Sequence, residues 1–380
     1  MLLSPIILLF YQENGLTYKH LFLFQGIFYI TSIISEIPIG YISDNKPRKL
    51  LLCGSMIIFF AVTILWLICK GFWIILIGEI LMGISKVLVD NATSGYLYDY
   101  LNKNNQAQNM VKYYGYVNFY LAFGTAAAAI LGSVLYMHYG SKFILTLELI
   151  LSAIAIICIC LLPNINNAQA RSSFKRKTTK FISSTKEICA NNSIKYHILY
   201  SGILTSFSIL FALSFQPLMQ KSLFPIFMFG VITFFNHAIR ALSGIISGKL
   251  QNKLKMQKMI IPLYFSYIVA FIFIFTIINI KNIAIISLLL ISICVIIGFQ
   301  LLFTILHVSR LHKFVTAENR GNIMSLNNGF SRLMAAIILI SSKFLMDKYS
   351  IQNFYITLFM VFIILCTHIM FKTYKATEKC

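Results

Sequence analysis

Apolar runs, each about as long as a bilayer is thick, follow one another along this chain with few polar residues between them. A membrane-spanning helix takes about 20 mostly apolar residues. Runs of that kind lie near 20–43, 50–69, 72–98, 113–138, 143–163, 196–218, 223–248, 259–280, 282–308, 323–346 and 351–371. A twelfth, at the amino end, is defective: only Met1 to Tyr11 is apolar before Gln12-Glu13-Asn14. Eleven residues make roughly 16 Å of helix against a hydrocarbon core of about 30 Å. This run reads as a truncated first span or a start codon placed too late. It lacks the basic n-region and the small-residue cleavage site of a signal peptide. The pattern predicts an all-α polytopic membrane protein with twelve spans, the first one short. The longest polar segment, Asn164 to Lys195, divides them six and six. The expected organisation is therefore an amino-terminal half 1–163, a basic loop 164–195 and a carboxy-terminal half with its tail, 196–380.

Composition agrees with lipid burial. Charged residues make up 11% of the chain and hydrophobic ones 58%, where a soluble domain carries about a quarter charged. The net charge of +21 suggests a nucleic-acid partner until its placement is considered. With the amino end in the cytoplasm, about two-thirds of the Lys and Arg fall in the inner loops and the tail, the positive-inside bias of helical membrane proteins. The charge thus orients the chain, with both termini cytoplasmic and the lipid bilayer rather than nucleic acid as partner. The central loop carries Arg171, Lys175, Arg176, Lys177, Lys180 and Lys186 against Glu187, a solvated connection at headgroup level. The cysteines lie mostly inside apolar runs, and Cys158-Ile-Cys160 is not a metal or redox spacing, so they read as small buried hydrophobes. No metal or cofactor is expected. Neither His-Glu-x-x-His, Gly-x-Ser-x-Gly nor a phosphate-binding Gly-rich loop occurs, which argues against an enzyme.

The most specific segment follows the second run: Gly40-Tyr-Ile-Ser-Asp44-Asn-Lys46-Pro47-Arg48-Lys49. Sliding the chain by 204 residues lays Gly40 on Gly244, Arg48 on Asn252 and Lys49 on Lys253, a degenerate echo in the matching loop of the second half. Asp44 falls on Gly248, so the second copy lacks the acid. The pattern Gly-x-x-x-Asp-x-x-x-Arg-Lys between spans 2 and 3 resembles the signature loop of the major facilitator superfamily. Glu36-Ile-Pro38-Ile-Gly40, Tyr98-Asp99-Tyr-Leu101, Gln216-Pro217 and Asn319-Arg320-Gly-Asn-Ile-Met-Ser325 resemble segments of a bacterial branch of it, in the right order. The resemblance implies two six-helix halves in a bacterial inner membrane. It also implies a gate in which Asp44 meets the start of span 11, around Gly321 to Ser325, and Arg48 pairs with Asp99. Gly40, Asp44, Arg48, Lys49 and Asp99 are then gating residues rather than substrate ligands. Three positions depart from the family pattern. Pro47 stands where the family prefers Gly, Glu79 where many proton-coupled members have Arg, and span 5 lacks the Gly-Pro pair of drug/proton antiporters.

Ionisable residues inside spans cost about 2.5–3.5 kcal/mol at the bilayer centre on insertion scales, so retained ones point to function. At 100° per residue Glu79, Gly83, Lys86 and Asp90 share one stripe of span 4. Two readings stand. In one, Lys86 and Asp90 neutralise each other and Glu79 sits in a wet outer vestibule. In the other, the stripe lines a central cavity and Glu79 or Asp90 carries a proton. Arg332, about 14 Å into span 11, suits an acidic partner or an anionic solute. Glu36 beside Pro38 is a further candidate for coupling. Arg240 and His237 read as structural, Gln25, Thr31 and Ser35 as contacts between helices, and Glu148 as facing lipid or the outer vestibule. The sequence thus predicts a monomeric secondary transporter, coupled to protons and moving a small organic solute. Export of a drug-like compound or metabolite, such as a siderophore, is favoured over uptake of an amino acid, ferric chelate or other nutrient. A transport-inactive receptor or scaffold is the reading of another class.

Overall fold

A computed structural model of the protein describes residues 1–165, 192–250, 257–311 and 320–378. Among these the chain is helical and forms no strand. The first half contains α1 (Ile7–Glu13), α2 (Tyr18–Asn45), α3 (Arg48–Ile68), α4 (Phe72–Lys103) and α5 (Met110–Leu161). The second contains α6 (Asn192–Lys221), α7 (Ile226–Leu250), α8 (Gln257–Asn279), α9 (Ile283–Leu311), α10 (Arg320–Lys348) and α11 (Ile351–Glu378). Ten of these helices, all but α1, are long and apolar enough to cross a membrane.

The count differs from the expected twelve for two local reasons. A straight α5 of 52 residues would run about 78 Å, more than twice the bilayer core. It is broken at Gly140, where φ is 76° and ψ is −179°, backbone that only glycine adopts without strain. The two arms correspond to the expected spans at 113–138 and 143–163. At the amino end, α1 has seven residues and follows a 3-10 turn, Ser4–Ile6. Short as it is, α1 is well packed: Leu8, Phe10 and Tyr11 are buried.

Polar residues in the turns set where helices begin. The His20 ring reaches back one turn, and its Nδ1 accepts from the Thr17 N–H at 3.0 Å. Asn282 Oδ1 accepts the N–H groups of Ala284 and Ile285 at 3.0 and 3.2 Å, which caps α9.

The chain divides into two compact units, Met1–Lys180 and Phe181–Cys380. Within the first, α2 and α3 pack on α4, α3 packs on α5, and the Ser4–Ile6 turn packs on α5. Within the second, α7 packs on α9, α8 on α11, and α6 on α10. α8 also packs on α9, so in both units two consecutive helices pack on the one that follows them, α2 and α3 on α4, α7 and α8 on α9, and the echo seen in the loops recurs in this part of the packing. Lipid offers no hydrophobic drive for helices to associate; close approach and hydrogen bonds hold them together. In the second unit Gly202 leaves room for the Phe330 ring, and Ser206 Oγ donates to the Ser331 carbonyl at 3.0 Å. The rings of Tyr264 and Tyr267 stack on Phe362, and Phe207 meets it edge-on.

Candidate functional site

Glu79 lies seven residues into α4, about 10 Å from the helix start, and is 2% exposed. Its carboxylate is held from two other helices. The Tyr11 hydroxyl at the end of α1 donates to Oε1, and Gln25 Nε2 of α2 donates to Oε2 at 3.3 Å. Tyr11 is itself fully buried, its ring set edge-on to Phe24 at 5.5 Å. Behind it Phe10 packs on Trp66 at 5.6 Å, and the Trp66 indole lies so close to Gly78 that a side chain there would collide with it. Both readings of the Glu79 position are therefore corrected: Tyr11 and Gln25 close over it, so it lies neither in a wet vestibule nor on the lining of an open cavity.

One turn further on, Gly83 lets α2 and α4 approach. A Cβ there would stand 2.8 Å from the Phe28 carbonyl oxygen, and Ser32 Oγ donates to the Gly83 carbonyl at 3.3 Å. Beyond it Lys86 Nζ and Asp90 Oδ1 pair at 2.7 Å, with side chains 54% and 35% exposed. The polar stripe of α4 is thus divided, sealed at Glu79 and open at Lys86.

At the opposite end of this unit the signature loop joins three helices. Arg48 Nη1 lies 3.3 Å from Asp99 Oδ2, and its guanidinium covers Gly95, where a Cβ would strike it. Lys49 Nζ donates to the carbonyls of Cys160 and Leu162 at 2.8 and 2.7 Å. A cation thereby takes up the last carbonyls of α5, as the negative end of a helix favours. The Tyr96 hydroxyl donates to the Pro163 carbonyl at 2.9 Å. Gly40 and Asp44 belong to α2. The Asp44 side chain, like those of Gly321 to Ser325, lies outside the described residues, as does most of the central basic loop.

The remaining candidates are scattered. Glu36 is half-buried in α2 and Arg332 half-buried in α10. Two expectations are corrected. Glu148 does not face lipid or a vestibule: it is buried, and its Oε1 accepts the Leu3 N–H at 3.1 Å. Cys158 and Cys160 are exposed rather than buried, whereas Cys294 and Cys366 do lie in the interior.

Sequence reasoning missed three groups. Tyr11 and Glu13 passed as the end of a defective run, although polar residues two apart closing an apolar segment are a signal for contacts on opposite helix faces. Glu13 accepts from the Tyr136 hydroxyl at 2.5 Å and from Ser141 Oγ, residues on either side of the Gly140 break. In the second unit Gln300 of α9 is 4% exposed. Its Nε2 donates to Thr205 Oγ1 and Thr304 Oγ1, both at 2.8 Å, and its Oε1 accepts from Ser208 Oγ at 3.3 Å. Tyr267 joins through Ser208 and donates to the Leu204 carbonyl at 2.8 Å. Each polar atom of the Gln300 amide has a partner, which suits a structural pin between α6, α8 and α9.

The profile of the Major Facilitator Superfamily matches residues 1–339. An uncharacterised transporter of Buchnera aphidicola subsp. Acyrthosiphon pisum is 25% identical over 136 residues; the match covers 36% of this chain and only about a third of that relative, 33%. The fold is similar to that of the nucleoside transporter NupG, with a TM-score of 0.74 at 14% identity, over 94% of this chain and 91% of that one. It is also similar to an inward-facing, unoccupied bacterial homologue of the human lysosomal transporter Spinster, with a TM-score of 0.66 at 12% identity, over 99% and 89% of the two chains. The profile match along most of the chain, ten apolar helices and paired halves lead to one conclusion: the chain belongs to the major facilitator superfamily and is a multi-pass membrane transporter of that type.

Proposed function

We propose that the protein is a secondary active transporter working by alternating access in a bacterial inner membrane, coupled to protons, with export of a small drug-like compound or metabolite as its direction. The observation that carries the coupling is Glu79, a carboxyl group inside the first unit, shut off from water and held by donors from two other helices. An acid so placed in a span is costly unless it is used. Arg332 inside α10 favours an anionic or zwitterionic solute. The Arg48–Asp99 pair, with Gly40, Asp44 and Lys49, forms the gate that latches one state.

The test uses the protein reconstituted in vesicles that contain a pH-sensitive dye. Nucleosides, amino acids, ferric chelates and drug-like anions and cations are added in turn under an imposed pH gradient. A solute that dissipates the gradient with the intact protein, but not with Glu79→Gln, is the expected result. A solute carried equally well by both proteins and indifferent to the gradient would overturn proton coupling. Movement along the direction of the proton flux would replace export by uptake.

A further inference from the structure

We infer that Tyr11 is the positioning residue of the proton site: its hydroxyl fixes which oxygen of Glu79 receives the proton, while Glu13 anchors the helix that carries it. The inference rests on the reading of Glu79 as the proton-bearing acid. It is drawn from the chemistry of the two donors. One donor meets each carboxylate oxygen, Tyr11 at Oε1 and Gln25 at Oε2. They are not equivalent, because a phenolic hydroxyl can donate or accept, whereas an amide NH2 only donates.

With the Gln25 amide as it stands, a proton added to Oε2 would confront its NH2 with an O–H group and leave two donors opposed. A proton added to Oε1 forms an O–H that can donate to the Tyr11 oxygen once that hydroxyl turns from donor to acceptor. Oε2 then remains a carbonyl oxygen accepting from Gln25. The Oε1 form keeps both hydrogen bonds in both protonation states with only the Tyr11 hydroxyl turning, whereas the Oε2 form keeps them only if the whole Gln25 amide flips to present its oxygen. No bond other than the O–H forms, and the Tyr11 proton stays on its oxygen.

The position of Tyr11 is itself secured. Glu13 lies two residues on, about 200° around the helix, and accepts from Tyr136 and Ser141 of α5. The last turn of α1 is therefore tied to α4 on one face and to α5 on the other. Turning the Tyr11 hydroxyl alters one tie and leaves the other, so the protonation of Glu79 is felt by α1.

The test is acid-minus-alkaline infrared difference spectroscopy of the full chain reconstituted in lipid. The carboxyl C=O band that vanishes in Glu79→Gln marks Glu79. Tyr11→Phe keeps the ring packing and removes only the hydroxyl. It should retain the band, shift it to higher frequency through loss of a hydrogen bond, and change the pH at which it appears. In the intact protein, labelled with ring-13C tyrosine, a tyrosine C–O mode should change in step with that band, a readout that needs no variant. A Glu79 band of unaltered frequency and titration in Tyr11→Phe, or a tyrosine mode that ignores it, would overturn the assignment of Tyr11. If Glu79→Gln removes no band at any pH, the reading of Glu79 as the proton carrier fails instead, a separate and recognisable outcome.

Discussion

Arg48 is fixed from two sides at once. Its guanidinium meets Asp99 at 3.3 Å and lies flat against Gly95, with 12% of its side chain exposed. A methyl group on Gly95 would occupy the space of the guanidinium, so Gly95→Ala should push Arg48 off Asp99. The expected cost is about 1–3 kcal/mol, that of leaving a buried polar group without its partner, read as a lower unfolding temperature of the detergent-solubilised protein. Because Gly95→Ala and Asp99→Asn break the same contact, their effects should fall well short of additive; simple addition would show that Arg48 does not depend on Gly95. Gln300→Leu should also lower stability, by about 1–3 kcal/mol, since it removes the hydrogen bonds by which Gln300 ties α9 to Thr205 and Ser208 of α6. The Arg48–Asp99 contact was anticipated through the family resemblance. The Tyr11–Glu79 contact was not, because 68 residues separate the two and no local pattern links a terminal tyrosine to an acid in another span. Gln25 illustrates the middle case: polar spacing marked it as a contact between helices, but not Glu79 as its acceptor.

At the scale of elements, the break in α5 turns on one residue. Gly140 combines φ 76° with ψ −179°, a region in which other residues cost about 1–3 kcal/mol. Gly140→Ala should therefore destabilise the protein by that order. Gly115→Ala and Gly124→Ala, where a Cβ meets nothing within 4 Å and the backbone is helical, should unfold at or slightly above the temperature of the intact protein, since Ala favours the helix over Gly. Equal unfolding temperatures for all three would mean that the break does not need glycine. The sequence showed where apolar runs lie because lipid burial acts on every residue of a span. It did not show that α5 continues through its turn with almost no polar linker, nor that α1, too short to span, is held by Tyr11 and Glu13. Both depend on contacts between helices, to which hydrophobicity is blind.

At the scale of the molecule, two units repeat part of one set of helix pairings, and the basic residues concentrate in alternate loops. In the proposed orientation, with both termini cytoplasmic, the turn before α4 lies outside the cell and the end of α4 inside. In a cysteine-free background, Lys70→Cys should react with a membrane-impermeant maleimide applied to intact cells, and Lys103→Cys only after the membrane is opened. The reverse pattern would invert the topology. The halves and the loop were legible because they are written in long runs and one compact motif. The solute was not, because a binding cavity is assembled from side chains on many spans. The central claim, that the chain moves a small solute outward through a gate containing Asp44, is tested most directly by mass spectrometry of small molecules in cells and medium. Cells making the intact protein would be compared with cells making Asp44→Asn at equal membrane abundance. The account predicts at least one compound depleted inside and enriched outside only with the intact protein; identical profiles for the two, inside and out, would contradict it.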